Sequence, residues 1–136
     1  MAPAPFGSYK APLTLGLESL MRVQKEVSGG VPGAIPAPGL YPSKDAVRTY
    51  SLALITEIAE WLQDLDTRPW KNDLTEAAPV VDNDTLAEEF ADMLAFLGIL
   101  IYYMNQWGIP PERLASAYVA KSNINIERIT ANLRKG

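Results

Sequence analysis

Twelve consecutive residues, Met93 to Met104 (MLAFLGILIYYM), carry no charged side chain. Three turns of helix without a polar face have to be covered by their own chain or by another one. The run is too short to cross a bilayer, which takes about 20 apolar residues. It predicts a central helix, capped by Asp84, continuing to about Trp107 and stopping at Gly108. The rest of the chain has to be arranged around that helix.

The flanking sequence supplies three more helices. Leu13, Leu17, Leu20, Met21 and Val27 recur at helical spacing, and Ser28-Gly29-Gly30 ends the segment. Ahead of it, Pro3, Pro5 and Pro12 predict an extended arm over residues 1–12. Gly29 to Pro42 is rich in glycine and proline and reads as an ordered loop or a lid. Ser43 is a suitable cap for a second helix, Lys44 to Asp66, with an apolar stripe of Leu54, Ile55, Ile58, Leu62 and Leu65. A polar loop with Arg68-Pro69-Trp70-Lys71 leads into the central helix, and Pro110-Pro111-Glu112 opens a last helix that runs to about Leu133. There is no strand-like alternation and no repeat. The 136 residues predict one all-α domain, 1–136, built as a four-helix bundle. A single bundle of this size leaves part of the all-round apolar helix uncovered, so self-association is expected.

Composition narrows the chemistry. The chain has Cys 0 and His 0, which removes thiolate and imidazole metal sites and every histidine-dependent nucleophile. Catalysis then rests on carboxylates, lysines, arginines, amides and hydroxyls, and carboxylates of this kind work through hard cations. A net charge of -4 speaks against binding a nucleic-acid polymer, though not against a nucleotide bound through cations. The opening MAPAPFGSYK has no signal-like apolar stretch, so no membrane and a cytoplasmic location are expected, the host cytoplasm if the chain is phage-encoded.

Two acid pairs carry the chemistry. Glu57 and Glu60 lie three apart on the second helix, as do Glu89 and Asp92 on the third. Residues at i and i+3 share a helix face, so each pair aims two carboxylates one way. One such pair is ordinarily a solvated face. Two pairs, flanked by Ile55, Ile58 and Trp61 and by Phe90, Met93 and Leu94, are different. Carboxylates gathered between apolar helices repel one another, and a divalent cation relieves both the repulsion and the burial. On the fourth helix Lys121, Asn125 and Arg128 form one polar stripe with donors suited to phosphate oxygens.

The ordered segments ALITEIAEWLQDL, LAEEFADMLAF and YVAKSNINIER resemble the all-α NTP pyrophosphohydrolases, the superfamily of MazG and the dimeric dUTPases. The family signature is Glu-x-x-Glu followed by Glu-x-x-Asp, matched by Glu57, Glu60, Glu89 and Asp92, with 28 residues between Glu60 and Glu89. The dimeric dUTPase branch adds a Lys-x-x-x-Asn-x-x-Arg stripe, a Trp-Lys and a first-helix glutamine, matched by Lys121, Asn125, Arg128, Trp70, Lys71 and Gln24. The likeness spans about residues 17 to 128. It implies hydrolysis of a deoxynucleoside triphosphate to its monophosphate and pyrophosphate. Asn72 and Asp73 stand where that branch usually has aromatics, and Val27-Ser28-Gly29-Gly30 where it tends to have an asparagine. Both departures lead away from a uracil pocket, and the smaller Ser28-Gly29-Gly30 leaves room for a purine, as in the phage branch that acts on dGTP and dATP.

The expectation is therefore a pyrophosphohydrolase in which Glu57, Glu60, Glu89 and Asp92 hold on the order of two or three Mg2+ or Mn2+ ions. Glu60 or Glu57 takes the proton of the attacking water, and Lys121, Arg128, Asn125 and Lys71 contact phosphates. Gln24, Trp61 and Trp70 contact the nucleoside. dGTP is the first substrate, with dUTP or dCTP as the alternative. A non-enzymatic helical assembly module is the alternative of another class.

Overall fold

The computed structural model describes residues 5–65, 75 and 80–135, which form four long helices and no strand. Helix α1 spans Lys10–Ser28, α2 Lys44–Asp64, α3 Asn83–Gln106 and α4 Pro111–Lys135. None is long and apolar enough to cross a membrane.

The helix starts follow local hydrogen bonding. Ser43 caps α2, its Oγ accepting the Ala46 N–H at 3.0 Å. For α3 the cap is Asp82 and not Asp84: its carboxylate accepts the Thr85 N–H at 3.1 Å and the Thr85 hydroxyl at 2.9 Å. The same bonds, that from the Thr85 backbone foremost, hold the Asp82 carboxyl below the usual carboxylate range. Asp84 sits instead in the first turn, where a negative charge favours the helix N-terminus. Pro111 opens α4 from a buried position. The expected extended arm is corrected at Gly7–Tyr9, which forms a 3-10 turn, and at Lys10, where α1 already begins. Pro12 is accepted because it falls in the first turn, where its missing N–H has no helical partner to lose.

Helix α3 is the central element, packed on α2 on one side and α1 on the other. Its C-terminal half is buried at Gly98, Ile99, Ile101, Tyr102 and Tyr103. Ile99, Tyr102 and Tyr103 anchor the core, with Met21, Ile35, Ala46, Val47 and Tyr50 packed against them. Gly98 lets α1 come close, for a Cβ there would lie 2.9 Å from both the Gln24 Cβ and the Leu20 carbonyl oxygen. The connection from Gly29 to Pro42 is an ordered loop and not a lid. The Tyr103 hydroxyl donates to the Ala34 carbonyl at 2.6 Å, and the Trp107 indole donates to the Pro42 carbonyl at 2.8 Å.

Helix α4 packs on α1 and makes no comparable interface with α2 or α3. The four helices thus lie in the order α2, α3, α1, α4, in keeping with the all-α class expected. Every residue of α4 from Ile124 to Lys135 is exposed.

Candidate functional site

The pairing of α2 with α3 is set by aromatic contacts. Trp61 meets Phe90 edge-on at 5.9 Å, while Tyr50 meets Tyr103 at 5.6 Å and Phe96 at 6.3 Å. Later residues of α2 pair with earlier residues of α3, so the helices run antiparallel. That register brings the segment Glu57–Asp64 alongside Glu89–Asp92.

Glu57, Glu60 and Asp64 follow one another at i, i+3 and i+7 along one stripe of α2. Glu57 is half-buried, and desolvation, the neighbouring charges of Glu60 and Asp92 and a hydrogen bond with Glu60 raise its pKa. Glu89 is pushed up to about 7, first by a hydrogen bond with Asp64, then by desolvation, then by the charges of Asp64, Glu60 and Glu57. Its Oε2 is buried and has no hydrogen-bond partner. The Trp61 indole N–H, in the same seam, is likewise buried and unpartnered. The four expected acids are therefore neighbours, and Asp64 joins them as a fifth that the Glu-x-x-Glu spacing does not include. Its signal was present in the sequence as the continuation of the Glu57, Glu60 stripe.

Mutual repulsion and an orphaned buried carboxylate oxygen describe a set of hard oxygen donors suited to a divalent cation. Among the described residues, no group of three or more acidic side chains is placed to hold one. Glu60, Asp64 and Asp92 are exposed.

The other expected site residues are distributed elsewhere. Gln24 lies on α1 against Gly98, nine residues and about half a helical turn away from Glu89 on α3. That is the opposite face from the acids, and its side-chain amide donates to Ser28 Oγ at 2.9 Å. The structure does not bring Gln24 to the acid seam. Trp61 does lie in the seam, with its ring against Phe90. Lys121, Asn125 and Arg128 are exposed on α4 and form no ion pair or hydrogen bond with the acids. Their stripe is legible in the sequence, but the packing of α4 on α1 separates it from the seam within one chain. Trp70 and Lys71 lie outside the described residues.

Compared with protein-family models, with curated proteins and with solved structures, the chain matches none.

Proposed function

We propose that this chain is an all-α nucleotide pyrophosphohydrolase of the MazG and dimeric dUTPase type, acting on a deoxynucleoside triphosphate, dGTP first. The observation that carries the reading is the α2–α3 seam, where acids from two helices raise one another's proton affinity around a buried, unpartnered Glu89 oxygen. Such a set is stable at neutral pH when a cation shares it.

Glu57, Glu60, Glu89 and Asp92 are the residues that would hold Mg2+ or Mn2+, with Asp64 beside Glu89. A divalent cation supplies Lewis acidity toward the triphosphate oxygens and lowers the pKa of water. In the reaction a water oxygen bonds to the α-phosphorus, the α–β bridging P–O bond breaks, and pyrophosphate leaves with the electron pair. Glu57, with its raised proton affinity, is suited to take the water's proton. Trp61 offers a buried indole N–H and walls the seam against solvent. Lys121, Asn125 and Arg128 stand apart from the acids in one chain, so in this reading they meet the phosphates only in an oligomer, a homodimer or homotetramer. The working location is the cytoplasm.

The test is pyrophosphate release from the four standard deoxynucleoside triphosphates and dUTP, with and without Mg2+ or Mn2+. Cation-dependent release that disappears in Glu60→Ala, with helicity by circular dichroism unchanged, is the expected result. Undiminished release by Glu60→Ala removes the seam from the mechanism.

One observation favours a second reading, a helical assembly module: large apolar side chains are exposed on all four helices. Addition of Mn2+ with a deoxynucleotide separates the two. An enzyme gains stability by mass action, about 2.7 kcal/mol at a ligand concentration of 100 times Kd, whereas a module gains none.

A further inference from the structure

The uncovered apolar surface is concentrated in two places. On α2, Ile55, Ile58 and Leu62 are 60%, 38% and 40% exposed, and on α3, Phe90, Leu94 and Leu97 are 46%, 37% and 39% exposed. In an antiparallel pair whose acids flank the shared seam, the turn of each helix carries these two stripes to the same side. Glu60 and Asp92 fall toward the other side. The result is one side of the pair on which these six apolar side chains are exposed. The second place is α4 from Ile124 onward, twelve residues exposed on every side. An isolated helix of that length is marginal in water. Its stripe of Ile126, Ile129 and Leu133 has the same i, i+3, i+7 spacing as Ile55, Ile58 and Leu62.

Charge decides which surfaces meet. α2 and α3 together carry eight acids and two basic residues, a net charge of −6. Pairing this face with itself would set two strongly acidic helix pairs against each other. The outer half of α4 carries one acid and three basic residues, a net charge of +2, with Arg134 and Lys135 in its last turn. We infer that the outer half of α4 docks on the α2–α3 face of a second copy of this chain, Ile126, Ile129 and Leu133 filling the stripe between the two helices. This docking stands on packing and charge and does not depend on the catalytic reading.

The chain has Cys 0, so single engineered cysteines report contacts without interference. Ile129→Cys and Leu94→Cys proteins, mixed and oxidised, are expected to form the mixed disulfide in preference to either self-paired one, and wild type is expected to run as at least two chains by light scattering. Ile126→Lys combined with Ile129→Lys is expected to halve the particle mass or more while helicity is kept. A wild-type monomer overturns the docking. A preference for the Leu94→Cys self-pair overturns it in favour of face-to-face pairing. If the double lysine variant fails to fold, the disulfide result decides alone. Loss of pyrophosphate release in every assay would sink the proposed enzyme and leave these outcomes unaffected.

Discussion

Glu89 is the residue on which the acid seam turns. Its folded pKa of about 7 lies above the ordinary 4.5 of a free glutamate. Between those two pH values the folded chain holds a proton that the unfolded chain has released. Stability therefore falls as pH rises from about 4.5 to about 7, and the loss is complete above the folded value. Glu57 acts in the same direction. The melting temperature of cation-free protein should drop across this window, and Glu89→Gln should flatten the drop. Mg2+ or Mn2+ should restore stability at the upper end. A rising melting temperature over the same window would contradict the crowding of these carboxylates. Tyr103 is the counterpart in the core, its hydroxyl pushed up to about 12, chiefly by burial. It donates to Ala34 at 2.6 Å. Tyr103→Phe leaves that carbonyl unpaired and should cost about 1–3 kcal/mol in urea denaturation.

At the scale of the helices, most of what was legible lay in caps and periodicity, and most of what was not lay in register. Ser43 and Pro111 mark helix starts because one side chain or one missing N–H is enough to do so. Asp82 and Asp84 both stand at the start of α3, and only the hydrogen bonds to Thr85 decide between them as cap. Pro12 reads as a breaker until its place in the first turn is known. The acid stripe on α2 was visible in part, since Asp64 continues it at i+7 but falls outside the Glu-x-x-Glu spacing. Gln24 could not be placed, since the face of α3 that α1 meets depends on the close approach at Gly98. Helix periodicity tells which side of a helix is apolar, not which neighbour covers it. Gly98→Ala tests that contact. A Cβ 2.9 Å from the Leu20 backbone oxygen forces α1 and α3 apart, with an expected loss of about 1–3 kcal/mol by chemical denaturation. Unchanged stability would show that the crossing is looser than described.

For the whole molecule, the twelve-residue apolar run correctly placed α3 at the centre, but the layout of the other helices was not readable from it. α4 packs on α1 alone among the long helices, which leaves its outer half and the α2–α3 face uncovered and its Lys121, Asn125, Arg128 stripe away from the acids. In the proposed reading function is tied to assembly, with oxygen donors from the seam and cover from a second chain. The most direct measurement is Mn2+ binding followed by electron paramagnetic resonance, on wild type and on a Glu60→Gln, Glu89→Gln double variant. Saturable binding by wild type that is lost in the double variant is the predicted result. No binding by wild type, or equal binding by both, would contradict a cation site built from these two helices.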